Sequence, residues 1–374
     1  MKKLFIIPFE LPWDWTADYQ RQTIFELNKN NNKVLAYMNK DSYFFLKRKQ
    51  KKNYPNIKNA DFYQPQNLVP FQRFELVQSI NQLINLIIIR LKNINKKIYL
   101  WSFDPDFYLL NYLARFFGII TIYDCVDYHS HNNQTINQQI RTKEDKIIKN
   151  SKYFFVNSRE LAKIHSKKRK PTAIVPQGFD LTTFETKLKK LAFFNKIKKP
   201  IIGYVGGINY RLDYDLLVRL AKNNPNWQFV FWGPVQKQDD DQQNQVEEKQ
   251  KTLFSLANVF VSQSERKNIP AVINHFDVCL IPYKTNYLFN KHCYPMKIFE
   301  YFHLKKPIIS APINELKRFP ENLISIAEDY SSWQKKIEEK IEKKESDTVK
   351  KTKQRLAFEN SWKNKISNIL EKIN

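Results

Sequence analysis

Two short stretches of this chain combine residue types that bind anions. Gly206 and Gly207 follow the β-branched and aromatic run Ile201–Val205, and a helical pattern starts near Tyr214. A strand that ends in a glycine turn and passes into a helix brings backbone N–H groups and a positive helix end against a phosphate. Arg211 lies inside that turn, where a guanidinium forks onto phosphate oxygens. Glycine is scarce, six in 374 residues, so it should stand where a Cβ is sterically excluded. Four of the six, Gly203, Gly206, Gly207 and Gly233, fall in this one region. The spacing is not the three-glycine dinucleotide fingerprint, so a nicotinamide cofactor is not implied. A tight turn that binds nothing fits the same residues.

The second stretch is Tyr294-Pro295-Met296-Lys297-Ile298-Phe299-Glu300-Tyr301. Pro295 suits the first helical position, which places free N–H groups and the positive dipole end there. Lys297 in the first turn opposes that dipole unless an anion is bound. Glu300, three residues on, lies on the same face about 5 Å deeper. A pyrophosphate at the helix start with a ribose reaching Glu300 fits this separation; so does an ordinary surface pair of Lys297 with Glu300. Elsewhere, Asp127 and His129 follow a buried strand at its C-terminal end, where α/β sheets place ligands.

The elements that must position these residues alternate between short apolar runs and helical patterns, which implies a parallel α/β architecture. Strands are expected at Leu4–Pro8, Lys33–Tyr37, Ile98–Trp101, Ile119–Asp124, Tyr153–Asn157 and Ala173–Val175, then at Ile201–Val205, Trp227–Trp232, Val259–Val261, Phe276–Ile281 and Pro307–Ser310. Helices are expected at Phe74–Lys92, Tyr214–Asn223, Pro295–His303 and Ser332–Lys344. The apolar residues Leu76, Ile80, Leu83, Ile84 and Ile87 of the first helix fit packing against a sheet; lying flat on a membrane is the other option. Gln236–Gln250 reads as a polar loop or helix edge, and Ile337–Lys353 as a solvated helix. A basic stretch, Lys187–Pro200, separates the two strand series. Domain spans of 1–178 and 179–355 are expected, with a last helix at 356–374 packing back on the first domain.

Apolar content of 42% excludes a disordered chain. No apolar run approaches the roughly 18–20 residues that cross a bilayer, and the opening Leu4–Phe9 is better read as a buried strand than as a signal peptide. Three widely spaced cysteines, Cys125, Cys279 and Cys293, give no ground for a disulfide or a structural metal. A soluble, cytoplasmic protein is expected. Charge is uneven: residues 1–200 carry 35 Lys and Arg against 16 Asp and Glu, a net +19 of the chain's +25. Such a field attracts anionic lipid at about 1 kcal/mol per basic residue near the surface. AT-biased codon usage accounts for the same lysines. A nucleic-acid partner rests on net charge alone and is not favoured.

Several motifs, in order, resemble the GT-B glycosyltransferases, in particular family 4-like enzymes of cell-envelope polysaccharide synthesis, including the teichuronic-acid type. They are Ile122-Tyr123-Asp124-Cys125-Val126-Asp127-Tyr128-His129, Val175-Pro176-Gln177-Gly178-Phe179-Asp180, Ile202-Gly203-Tyr204-Val205-Gly206-Gly207 with Arg211-Leu212-Asp213, Trp232-Gly233-Pro234, and Pro295–Tyr301 with Lys306-Pro307. The resemblance implies an α/β GT-B fold, two Rossmann-like parallel-sheet domains facing each other across a cleft. It further implies transfer of a sugar from a nucleotide diphosphate-sugar to a lipid-linked or polysaccharide acceptor, with retention and without a metal or other cofactor. By resemblance, Glu300 binds the donor ribose, the turn at Gly206-Gly207 and the segment Pro295-Met296-Lys297 hold the diphosphate, and Arg211 or Lys297 neutralises the leaving group. Fixed cations suit that task, because negative charge develops on the departing phosphate. His129 is expected at the transferring sugar and Asp127 at the acceptor hydroxyl. Trp13 and Trp15 fit stacking on a sugar acceptor, or burial. The inner face of the cell membrane is the expected place of work.

The chain departs from the family pattern at His292, where the first of two paired glutamates belongs, and at Lys305, where a glycine belongs. A catalytically inactive relative that binds nucleotide or glycan, and an epimerase on the same architecture, are the rival readings.

Overall fold

The computed structural model describes residues 2–9, 13, 18–38, 54–71, 74–132, 135–236 and 243–373. The chain falls into two compact units, one of Met1–Pro176 with Trp362–Asn374 and one of Gln177–Ser361.

The first unit runs β1 (Lys3–Phe9), α1 (Asp18–Lys29), β2 (Lys33–Met38), β3 (Ala60–Tyr63), α2 (Glu75–Leu91), β4 (Lys97–Ser102), α3 (Tyr108–Ala114) and β5 (Ile120–Cys125). A small hairpin of β6 (His131–Asn132) and β7 (Thr135–Ile136) follows, then α4 (Gln138–Asn150), β8 (Tyr153–Val156), α5 (Arg159–His165) and β9 (Ala173–Ile174). Seven strands form a parallel sheet in the order β3-β2-β1-β4-β5-β8-β9. Strands covered on both faces must be apolar on both, and β1, β4 and β5 are buried almost throughout. Phe5 stacks on Tyr99 of the neighbouring strand with ring centroids 4.8 Å apart.

The second unit holds α6 (Leu181–Phe184), β10 (Ile201–Val205), α7 (Tyr214–Asn223), β11 (Gln228–Trp232), α8 (Gln243–Phe254), β12 (Val259–Ser262), α9 (Ile269–His275) and β13 (Val278–Ile281). It continues with α10 (Leu288–His292), α11 (Lys297–His303), β14 (Ile308–Ser310), β15 (Ser325–Ile326), α12 (Tyr330–Glu342) and α13 (Asp347–Glu359). Its parallel sheet has the order β12-β11-β10-β13-β14-β15. The last helix, α14 (Trp362–Ile373), returns to the first unit. Its Trp362, Ile366, Ile369 and Ile373 are buried, and Lys365 Nζ lies 3.2 Å from Asp124 Oδ2 at the end of β5, with both side chains buried.

Two expectations are corrected, and the choice left open at Gln236–Gln250 is decided for its C-terminal part. On α2 the apolar stripe does not face the sheet: Leu76, Ile80 and Ile87 are exposed, while Asn81 and Asn85 are buried. The asparagines turn inward because they satisfy an extended segment that has no strand partner. Asn81 accepts from the Val69 amide and donates to the Val69 carbonyl, at 2.9 and 2.8 Å. Asn85 does the same for Gln66, at 2.8 and 2.9 Å. Ile337–Lys353 is not one solvated helix but parts of α12 and α13, with Ile337 and Lys353 buried. The Lys353 ammonium is fully engaged, donating to both Glu345 oxygens at 2.7 and 2.6 Å and to the Lys306 carbonyl at 2.8 Å. The C-terminal part of Gln236–Gln250 is helical, in α8.

Candidate functional site

Strand order in the second unit reverses between β10 and β13, and open parallel sheets bind ligands outside the carboxyl ends of strands at such a point. Gly206 and Gly207 leave β10 there, and Pro282 and Tyr283 leave β13. The two loops are pinned together: the Asp213 amide donates to the Pro282 carbonyl at 2.8 Å and the Lys284 amide to the Arg211 carbonyl at 2.9 Å. Asp213 also caps α7, its Oδ1 accepting from the Leu216 amide at 3.1 Å.

Gly206 takes φ 130° and Gly233, at the end of β11, φ 150°. A Cβ on Gly233 would lie 2.1 Å from the Gly206 carbonyl oxygen, so only glycine lets these two loops nest. The amides of Gly206 and Ile208 donate to the Trp232 and Pro234 carbonyls, each at 2.9 Å. With these two amides spent on the neighbouring loop, what the turn can present to an anion is side-chain cations in place of a row of amides.

Those cations are Lys297 and Arg211, which meet on Tyr283. Lys297 Nζ donates to the hydroxyls of Tyr204 at 3.0 Å and Tyr283 at 2.5 Å, and it lies 3.1 Å from where a Cβ on Gly206 would stand. The Arg211 guanidinium sits 4.5 Å over the Tyr283 ring and 4.6 Å over Phe289, and its Nε donates to Asn290 Oδ1 at 2.7 Å. Burial alone raises a phenol, but at Tyr283 the nearby Lys297 and Arg211 outweigh it and hold the group below its ordinary value. At Tyr204 burial wins and the phenol is raised. The turn and α11 thus build one cationic corner on aromatic rings.

Glu300 is 4% exposed, and its Oε1 takes a 2.7 Å bond from Arg266 Nη2. Lys297 and Glu300 therefore look to different partners instead of to each other. Pro295 is not at the first helical position: helical dihedrals begin at Met296, the N-cap, and the helix at Lys297. The Ile298 and Phe299 amides bond to the Pro295 and Met296 carbonyls at 3.4 and 2.9 Å, a tight first turn that spends two of the helix's otherwise free amides on the residues just ahead of it. Lys305, past the end of α11, takes φ 57°, the left-handed conformation that glycine adopts without strain. His292 Nδ1 pairs with Asn314 Nδ2 at 3.3 Å.

In the first unit, Asp127 and His129 leave the end of β5. Asp127 Oδ2 accepts from the Tyr19 hydroxyl at 3.3 Å, and His129 Nε2 is buried with no hydrogen-bond partner among the described residues. Trp13 is 6% exposed, with its ring packed against Phe9, Phe25 and Phe62 and the Arg21 guanidinium 5.1 Å above it. The expected stacking of Trp13 on an acceptor is corrected to burial, because its ring faces are taken up within the unit. Trp15 lies outside the described residues.

Cys125, Glu144 and His165 are the one set among the described residues whose ligand atoms are close enough for a metal ion, all within 4.8 Å and all buried. Burial pushes the Cys125 thiol and the Glu144 carboxyl up and the His165 imidazole down to about 4. All three are driven toward uncharged forms, so the 3.8 Å approach of His165 to Glu144 is not an ion pair at neutral pH. Tyr123 donates to Glu144 at 3.2 Å and the Cys125 thiol to the Asp127 carbonyl at 3.3 Å. These bonds account for the cluster as a buried hydrogen-bonded network.

Residues 186–360 match the family model described as Glycosyl transferases group 1. The chain has the GT-B fold, and it is the second unit that carries the match to that family model. The full-length structural likenesses agree on the GT-B fold. HepE of Anabaena, solved with UDP, has a TM-score of 0.71 at 12% identity, covering 100% of this chain and 99% of that one. Sucrose-phosphate synthase of Thermosynechococcus elongatus has a TM-score of 0.70 at 14% identity over 99% and 98% of the two chains. A curated relative, carried under the name teichuronic acid biosynthesis glycosyltransferase TuaH of Bacillus subtilis, is 25% identical over 225 residues. That alignment takes in 56% of this chain and 54% of that protein, about half the length of each.

Within this GT-B chain, sequence reasoning missed Tyr204, Tyr283, Asn290 and Arg266. Tyr204 stands inside a quoted motif, and its ring signals a cation seat only once Lys297 is placed over it at 4.3 Å. Asn290 reaches Arg211 across 79 positions, a pairing that no local pattern announces.

Proposed function

We propose that this protein transfers a sugar from a nucleotide diphosphate-sugar to a lipid-linked or polysaccharide acceptor in cell-envelope glycan synthesis, working at the cytoplasmic face of the membrane. The observation that carries the reading is the meeting of Arg211 and Lys297 on Tyr283 beside Gly206. In such a transfer the bond from the anomeric carbon to the diphosphate breaks, and its electron pair leaves on the phosphate oxygen. Two fixed cations aimed at that oxygen stabilise charge that exists only as the bond breaks. Glu300 takes the ribose hydroxyls, with Arg266 holding the carboxylate in place. Asp127 serves the acceptor hydroxyl and His129 the transferring sugar. Retention and metal independence belong to this reading. UDP in the HepE structures and teichuronic acid in the name of TuaH support the donor and acceptor classes.

The test is thermal stabilisation by UDP and GDP, followed by transfer with a panel of UDP- and GDP-sugars. Stabilisation and turnover by wild type, with nucleotide binding lost in Glu300→Ala, is the expected result. Unaltered donor affinity in Glu300→Ala contradicts the site. A second reading, a relative that binds nucleotide without turnover, is favoured by His292 in place of the family's carboxylate; stabilisation with no transfer from any donor would select it.

A further inference from the structure

An arginine side chain is long and rotamer-rich, and its planar fork matches a phosphate only when it is held at a set angle. Arg211 leaves the glycine turn after β10, and the group that holds it comes from α10, 79 positions away. Asn290 on that helix is 1% exposed. Its Oδ1 accepts from Arg211 Nε at 2.7 Å, and its Nδ2 donates to the Arg211 carbonyl at 3.1 Å and to the Lys284 carbonyl at 3.0 Å. One buried carboxamide therefore grips a single residue at both ends, backbone and guanidinium.

Joining the loops does not require this grip. The Lys284 amide already donates to the Arg211 carbonyl, and the Asp213 amide to the Pro282 carbonyl. What Asn290 adds is the bond to Nε. Its acceptor is a neutral amide, so that bond orients the guanidinium without cancelling the charge that a departing phosphate needs. The preceding residue, Phe289, lies under the same guanidinium at 4.6 Å, and Tyr283 at 4.5 Å. Helix α10 thus sets the plane of the fork with one residue and its edge with the next. With Nε committed to Asn290, a diphosphate meets the guanidinium through its two terminal nitrogens.

We propose that Asn290 is a positioning residue for Arg211, fixing the angle at which the guanidinium meets the departing diphosphate. This rests on the reading of Arg211 as a leaving-group cation. The experiment measures kcat and KM for wild type, Asn290→Ala, Arg211→Ala and the double variant. The donor is whichever sugar of the UDP and GDP panel wild type turns over. Asn290→Ala lowers kcat by roughly tenfold to a hundredfold with KM nearly unchanged, as a misplaced catalytic group does. In the Arg211→Ala background the same substitution costs less than about twofold, because no guanidinium is left to orient. Asn290→Gln keeps the carboxamide but carries it one methylene further, so it repeats the kcat loss and replaces the alanine variant should that one melt below the assay temperature. Equal fold-losses with and without Arg211, or an unchanged kcat in the Asn290 variants, overturn the proposal and leave Asn290 a brace between loops. A wild type that UDP stabilises but that neither transfers nor hydrolyses any donor removes the transfer reading itself and this role with it, so the two failures are separable.

Discussion

In the proposed transfer Lys297 and Arg211 act on charge that appears late, whereas Glu300 holds a group present throughout, so their variants should fail differently. Removing one preorganised donor to a developing oxyanion costs about 3–4 kcal/mol, a loss of roughly 10²–10³ in kcat. Lys297→Ala and Arg211→Ala should show that fall with donor affinity moved much less. Glu300→Ala should weaken donor binding first. Titration calorimetry with UDP beside steady-state kinetics separates the two; equal loss of affinity in all three variants would contradict the division of labour. In the first unit, His165 makes a pH prediction. Burial holds its imidazole neutral down to about 4, and it packs edge-on against Tyr128 and Phe154. The unfolded chain takes that proton near 6.5, so it binds more protons in between, and stability falls as pH drops through this window. The loss is about 3 kcal/mol by pH 4. Asp145 works against the shift, His129 and Arg141 work with it, and the raised Glu144 pulls stability the other way. His165→Phe should therefore lose less stability than wild type between pH 7 and 4 in urea titrations; parallel losses would refute the assignment.

Single elements announced themselves in the sequence, and their faces did not. The run from β10 through the glycine turn to α7 was legible because each part has a strong local cause: a fully apolar strand, two glycines, and Asp213 as a cap. Helix α2 shows the limit. Periodicity reveals a stripe at Leu76, Ile80 and Ile87 but not which side the sheet lies on. The deciding fact is a set of bonds from Asn81 and Asn85 to the Gln66 and Val69 backbone. For the same reason the aromatic seat at Tyr283 was invisible, since it forms only when loops far apart in the chain meet. The short edge strand β3, Ala60–Tyr63, gave no pattern to read. The reversed face predicts reversed mutational costs. Asn85→Leu adds an apolar side chain to a buried position yet strands the Gln66 amide and carbonyl, and should destabilise by about 1–3 kcal/mol. Ile80→Ser removes apolar area from an exposed position and should stay within roughly 0.5 kcal/mol. Urea midpoints decide it; the opposite order would mean that the stripe is the buried face.

The chain ends in the unit where it began, and the completeness of the first unit depends on that return. Residues Gln177–Ser361 form the second unit, after which α14 supplies Trp362, Ile366, Ile369 and Ile373 to the first. Burying a large apolar side chain is worth about 1.5–3 kcal/mol, so these four together rival the whole stability of a domain, about 5–15 kcal/mol. Lys365 adds a further dependence: without it Asp124 stays buried at the end of β5 with its ion partner gone, and breaking a buried pair from one side costs about 3–5 kcal/mol. A chain cut after Ser361 should therefore lose the first unit's fold, while Arg211, Lys297 and Glu300 remain on an intact sheet. Hydrogen exchange reads the two units separately. Amides of β1, β4 and β5 should lose protection in the shortened chain, and those of β10, β11 and β13 should keep it. Stabilisation of the surviving thermal transition by UDP should persist, because every donor-side residue assigned here lies between Gly206 and Glu300. Retained protection in β4 and β5 would show that α14 is an appendage and that the first unit closes without it.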